Sequence, residues 1–214
     1  MYPINLNLDG RPCLVIGGGT VAERKVKKLL EEGARVTVMS PHLTDELIKL
    51  REEGEIYWQN TYWNEGAFFR DTFTLVFCAT NDASLNARAA KQARGKGSLV
   101  NVVSDVSLCD FVVPARVTRG DLLMTVSTGG SSPAFARVLK ERIDEEYGDV
   151  YGAWLDRLQV IRAEVKEKKG SAEDRNRFWR TALSEHVLEL VENGSLEEAE
   201  GEVRDAADQF GIES

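Results

Sequence analysis

An apolar run, Cys13-Leu14-Val15-Ile16, opens directly into Gly17-Gly18-Gly19-Thr20-Val21-Ala22, and a helical pattern follows at once. Gly17, Gly19 and Ala22 fill the three small positions of a G-x-G-x-x-A turn. There, lack of bulk permits a tight turn, close backbone approach to a pyrophosphate, and packing of the helix on the strand. The amides at the helix start then face the phosphates. The same spacing also fits a tight strand-to-helix turn that binds nothing, and the chain downstream weighs against that reading. A helix-length segment from Val21 to Glu32 ends at Gly33, and Arg35 to Ser40 is strand-like, which completes a β-α-β unit.

Further runs extend the pattern. Pro41 to Gly54 reads as a turn and short helix, Ile56 to Trp58 as a strand, and Thr74 to Thr80 as a strand buried on both faces. Leu85 to Arg94 is helical, and Leu99 to Val103 is a strand whose end points to the same sheet edge as the glycine turn. The aromatics Tyr57, Trp58, Tyr62, Trp63, Phe68 and Phe69 are spaced for core and helix-face packing rather than for a stacking surface. From Phe111 the signal changes: Phe111 to Thr118 and Leu122 to Thr128 form a hairpin about Arg119-Gly120-Asp121. Ser131 or Ser132 then caps a helix through Ala136, Leu139 and Ile143. Beyond Gly148 the chain is helical. One stripe runs through Trp154, Leu155, Leu158, Ile161 and Val165, Gly170 breaks it, and Phe178, Leu183, Val187, Leu188 and Val191 make a second. The acidic tail after Asn193-Gly194 reads as a short solvated helix. The fold class is α/β: a Rossmann-like parallel sheet, then a hairpin region, then a helical domain.

A formal charge of −8 argues against a general nucleic-acid binder, which needs a basic surface. Cys13, Cys78 and Cys109 are odd in number and widely spaced, the pattern of reduced thiols rather than a disulfide framework. No apolar run approaches the roughly 18 residues that span a bilayer, and no targeting segment is visible, so a soluble cytoplasmic protein without membrane contact is expected.

Three motifs occur in one order: Gly17 to Lys25, then Asn101-Val102-Val103 with Asp105 close behind, then Ser127-Thr128-Gly129-Gly130-Ser131-Ser132-Pro133. Together they resemble the precorrin-2 dehydrogenase family of sirohaem synthesis, some members of which are also sirohydrochlorin ferrochelatases. The resemblance covers residues 1 to about 147 strongly and the rest loosely, through Arg177-Phe178-Trp179. With no methyltransferase domain following, it implies a stand-alone module. It further implies NAD-dependent oxidation of precorrin-2 to sirohydrochlorin and a homodimer built through the hairpin. The domains it implies are residues 1–110 for NAD, 111–148 for dimerisation and 149–214 as helices. Fe²⁺ or Co²⁺ enters only as a chelation substrate.

Loss of a hydride from the macrocycle needs a companion proton acceptor. The family places an aspartate directly after Asn-Val-Val, whereas this chain has Ser104 there and Asp105 next. Asp105 and Ser104 are the catalytic candidates; Asp105 is favoured, and it also fits a turn-stabilising residue. Ser104 motivates an alternative, a non-catalytic NAD- or tetrapyrrole-binding partner of a haem-pathway enzyme. The cofactor candidates are Gly17, Gly18, Gly19, Thr20 and Val21 at the pyrophosphate. Ser40, Pro41 and His42 stand at the adenosine ribose, and Ala79, Thr80, Asn101 and Val102 at the nicotinamide half. No acid stands where one would bind a ribose 2′-hydroxyl, so NAD and NADP are not separated by residues alone. A carboxylate-rich substrate calls for cations. Arg116 and Arg119 are preferred over Arg137 and Lys140, Thr128 offers a hydroxyl beside paired glycines, and Arg24 and Lys25 read as a solvated helix face. His42 and His186 share no ligand spacing, so no tight metal site is expected.

Overall fold

The computed structural model describes residues 1–64, 72–167 and 171–209. Two compact units divide at residue 113: Met1–Val113 and Pro114–Ser214.

In the first unit, strands and helices alternate. They are β1 (Pro12–Ile16), α1 (Thr20–Glu31), β2 (Arg35–Met39), α2 (Asp45–Glu52), β3 (Ile56–Gln59), β4 (Leu75–Cys78), α3 (Ala83–Gly95) and β5 (Leu99–Val102). All pairings are parallel in the order β3-β2-β1-β4-β5, so the order reverses at β1 and opens a crevice beyond the carboxyl ends of β1 and β4. Strands rich in Val, Ile and Leu suit a sheet covered on both faces. Val15, Val36 and Val38 pack with Ala22, Val26 and Leu29 of α1 on one side. Leu14, Val76 and Val100 pack with Ala89, Ala90 and Ala93 of α3 on the other. The Cys13 and Cys78 thiols lie inside these layers, and burial pushes them up to about 11 and about 12.

The aromatic cluster divides. Trp63 is buried and Trp58 donates its indole N–H to Ser40 O at 2.8 Å, as core packing requires. Tyr57 and Tyr62 instead face solvent, 72% and 66% exposed. Tyr57 sits on the edge strand β3, where alternate side chains have no covering layer. Phe68 and Phe69 lie outside the described residues.

The second unit begins with an antiparallel hairpin, β6 (Ala115–Arg119) and β7 (Leu122–Val126), turned by Gly120-Asp121. Ser132 caps α4 (Pro133–Glu146) by accepting the Phe135 N–H at 3.2 Å. Strand pairing starts at Ala115 rather than Phe111, because Phe111 still belongs to the first unit, where its ring meets Phe77 edge-on at 5.4 Å. Helices α5 (Val150–Glu167), α6 (Ala172–Ala182), α7 (Glu185–Glu192) and α8 (Leu196–Gln209) follow. A Cβ on Gly152 would lie 2.8 Å from the Arg119 carbonyl, so α5 meets the hairpin turn through a residue without a side chain.

Two readings of the helical region change. Leu183 and Leu188 leave the second apolar stripe and are 38% and 43% exposed. The acidic tail is not a solvated helix: Ala199, Val203 and Ala207 recur every fourth residue and are buried against Phe178, Val187 and Val191. Small residues interleaved with glutamates had concealed that stripe. The break assigned to Gly170 lies outside the described residues.

Candidate functional site

At the β1–α1 turn, glycine is dictated by crowding. A Cβ on Gly17, whose φ is 122°, would lie 2.5 Å from Ala79 O, and one on Gly18 would lie 1.9 Å from His42 O. The strand-end loops therefore close directly onto the turn. Gly19 differs: nothing lies within 4 Å of its Cβ position, and it caps α1 without a side-chain hydrogen bond. The first amides of α1 thus face an open cradle, the arrangement that receives a phosphate group. The residues fit a dinucleotide pyrophosphate on these grounds.

The loop after β2 is anchored to that turn. Thr44 N–H donates to Gly18 O at 3.0 Å, and the Thr44 hydroxyl donates to Glu23 at 2.8 Å. That bond, with Lys27 beside it, holds the Glu23 carboxyl below its ordinary value. Ser40 is buried and its hydroxyl donates to His42 O at 2.7 Å, so this group is engaged locally; His42 itself is exposed. After β4, Thr80 is clasped by Asn86, a fully buried side chain on α3. The Asn86 amide accepts the Thr80 hydroxyl at 2.8 Å and donates to Thr80 O at 2.9 Å. Asn86 was missed from sequence; its signal was a polar residue on the face shared with Ala89, Ala90 and Ala93.

Beyond β5, Ser104 and Asp105 are exposed and lead into a short 3-10 turn, Val106–Leu108. Asp105 accepts from the Ser107 hydroxyl at 2.6 Å and from its N–H at 2.9 Å, and these bonds hold its carboxyl below the ordinary carboxylate value. It is ionised at neutral pH and stabilises its own turn. Asn101 is buried and donates to Phe111 O at 3.0 Å, while the Val102 N–H points to Cys109 Sγ at 3.1 Å.

Lys25 departs from the solvated-face reading. It is half-buried with Nζ 5.4 Å from the Phe77 ring centroid, and burial, then the like charges of Lys28 and Arg24, push its ammonium down. The fourth residue after Val21 turns toward β4, where Phe77 supplies a π face instead of water. Arg24 is exposed.

One sheet edge therefore gathers Gly17 to Val21, Ser40 to His42, Ala79-Thr80 and Asn101 to Asp105. Arg116, Arg119 and Thr128 belong to the second unit. Arg119 pairs with Asp144 at 2.8 Å and with Asp149 at 3.3 Å, so its charge is already balanced. The Thr128 hydroxyl donates to Ser132 O at 3.1 Å and accepts the Ser132 N–H at 3.2 Å, which fixes the Gly129-Gly130 loop. Arg116 is half-buried and partnered. Among the described residues no three His, Cys, Asp or Glu side chains are grouped to hold a metal ion, and no helix is long and apolar enough to cross a membrane.

Comparison with known proteins agrees with this geometry. An NAD(P)-binding family model matches residues 4–115, a sirohaem biosynthesis central model matches 119–146, and a sirohaem synthase dimerisation model matches 150–206. The chain is 37% identical over 199 residues to a sirohaem synthase of Nitrosococcus oceani, covering 93% of this chain and 42% of that protein. It is 38% identical over 197 residues to one of Methylobacillus flagellatus, covering 92% and 42%. The chain thus spans about two fifths of the length of these relatives. The solved structure of SirC, a precorrin-2 dehydrogenase, superposes with a TM-score of 0.76 at 26% identity and 99% coverage of both chains. With an NAD(P)-binding match over more than half its length and the two sirohaem-specific regions following in order, the chain belongs to the sirohaem synthase and precorrin-2 dehydrogenase family.

Proposed function

We propose that this chain oxidises precorrin-2 to sirohydrochlorin in sirohaem synthesis, the substrate losing one hydride and one proton. NAD(P), when bound, supplies the hydride acceptor. The observation that carries the reading is the crevice at the β1/β4 edge, where an open amide cradle and an ionised carboxylate share one side of the sheet. In this reading the amides of Gly18 to Val21 hold the pyrophosphate. Ser40 to His42 border the ribose, and Ala79, Thr80, Asn101 and Val102 border the nicotinamide half. Asp105, with Ser104 beside it, accepts the substrate proton. Residues 1–110 serve the dinucleotide, 111–148 join two copies into a homodimer, and 149–214 form the helical domain. Arg116 serves the substrate carboxylates together with the N–H groups of the Gly129-Gly130 loop that Thr128 fixes, while Arg119, already paired with Asp144 and Asp149, drops out of that role. Insertion of Fe²⁺ or Co²⁺ as a second reaction would use the same Asp105 carboxylate to take pyrrole protons. Three unpaired cysteines support a reducing cytoplasmic setting.

The test is anaerobic incubation with precorrin-2 and NAD, following NADH and the sirohydrochlorin spectrum together. Coupled appearance of both supports the dehydrogenase. One observation favours a second reading: Ser104 stands where the family carries an acid, and Asp105 spends two acceptor sites on Ser107. A binding-only protein would bind NAD or the tetrapyrrole without turnover, and Ser104→Asp would then restore it.

A further inference from the structure

The strand order leaves β5 at the sheet margin, where the outward N–H and C=O groups of Val100 and Val102 lack a neighbouring strand. The returning chain supplies substitutes. Asp110 Oδ2 accepts the Val100 N–H at 2.9 Å, and the Asp110 N–H donates to Val100 O at 2.8 Å. Two residues on, Cys109 Sγ accepts the Val102 N–H at 3.1 Å, and its thiol hydrogen lies within reach of Val102 O at 3.3 Å and Asp105 O at 3.4 Å. One sulfur thereby offers an edge residue both the acceptor and the donor that a sixth strand would have offered. The Asn101 amide braces the same segment, donating to Phe111 O at 3.0 Å and lying 3.7 Å from Cys109 Sγ. Arg94 closes it from α3, through Asp110 Oδ1 at 2.8 Å and Leu108 O at 2.9 Å.

The segment tied down in this way carries Ser104 and Asp105. The Asp105 N–H donates to Val102 O at 3.2 Å, and Asp105 O is one of the carbonyls facing the Cys109 thiol. We propose that Cys109, acting with Asn101 and Asp110, is a positioning residue whose thiol caps the open edge of β5 and fixes the Ser104-Asp105 turn for proton transfer. The catalytic half of this inference rests on the dehydrogenase reading; the structural half does not. Val102 is 2% exposed, so losing the sulfur leaves a buried N–H without an acceptor and frees the turn. Serine keeps a donor and an acceptor at that place; alanine keeps neither.

The experiment compares Cys109→Ala and Cys109→Ser in the full chain by amide hydrogen exchange and by steady-state oxidation of precorrin-2 with NAD. Cys109→Ala should speed exchange over residues 102–108 by about tenfold. It should lower kcat by roughly ten- to a hundredfold with little change in KM for NAD. Cys109→Ser should recover most of both. Unchanged exchange in Cys109→Ala would overturn the clamp, and faster exchange with unchanged kcat would overturn its positioning role. If the unsubstituted chain does not turn over, the dehydrogenase reading fails and exchange alone decides the clamp.

Discussion

In the parallel-sheet unit Leu14, Val15 and Val76 are sealed between α1 on one face and α3 on the other. In the second unit Leu123, Phe135 and Val138 stay 41%, 55% and 47% exposed, and the buried core belongs to α5–α8. The first unit is closed by its own chain. The second closes a helical core, held in addition by Arg204 with Glu164 and Glu200 and by Arg157 with Glu200, and presents apolar surface on its hairpin and α4. A face of that kind is what an interface leaves open when one copy is viewed alone. The sirohaem synthase dimerisation match begins only at residue 150, so α4 and the hairpin lie just before it in the chain.

If the two units are closed separately, damage to one core should spare the other. Phe178 is fully buried among Val187, Val191 and Ala199, and Phe178→Ala should cost about 3–5 kcal/mol in the helical bundle. Calorimetry should show an early-melting transition for the bundle, with dinucleotide affinity near that of the unsubstituted chain. Loss of dinucleotide binding along with the bundle would mean that the two cores fold as one.

The reverse experiment uses neighbouring glycines. Gly18→Ala drives a methyl into His42 O, and relieving that overlap should cost about 2–3 kcal/mol and open the Ser40 to His42 loop. Gly19→Ala meets nothing in the protein, so thermal stability should hold while dinucleotide affinity falls about tenfold or more. Melting curves and titration of NAD separate the two. Equal binding loss with equal destabilisation would remove the distinction between a glycine needed by the fold and one needed by a ligand.

That distinction also marks how far the sequence could be read. The strand-turn-helix at residues 13–22 was legible because period, small residues and apolar run all agree there. The hairpin and the Ser132 cap were legible for the same reason. Three features were not. The buried stripe of α8 uses Ala199, Val203 and Ala207, where two of the three side chains are small and the glutamates around them dominate the hydropathy pattern. Asp105 was legible only as a choice between a base and a turn-stabilising residue, because Ser107, two residues on, is an unremarkable neighbour until the backbone turns. Arg119 looked like a free cation because Asp144 and Asp149 come from 25 and 30 residues away and are brought up by the fold.

The exposed face of the second unit yields a further test. Phe135→Glu should leave the fold within about 0.5 kcal/mol, since the side chain is already exposed. If α4 joins two copies, the same change should weaken self-association by roughly 2 kcal/mol, about thirtyfold, in sedimentation experiments. An unchanged association constant would move the interface elsewhere.

The smallest effect concerns a charge inside the closed unit. Burial lowers the Lys25 pKa below the ordinary lysine value near 10.4, so between the folded pKa and that value the unfolded chain binds more protons than the native one. Stability contributed by this group therefore rises with pH through that window, and the full penalty of the buried ammonium is present below it. Lys25→Met keeps the packing against Phe77 and removes the charge, so it should raise Tm by about 1–3 °C at neutral pH, a gain that shrinks as pH climbs through the window. Arg24→Met, at the exposed neighbouring position, should change Tm little at any pH. A drop in Tm for Lys25→Met would show that the attraction between its ammonium and the Phe77 ring outweighs the desolvation of the charge.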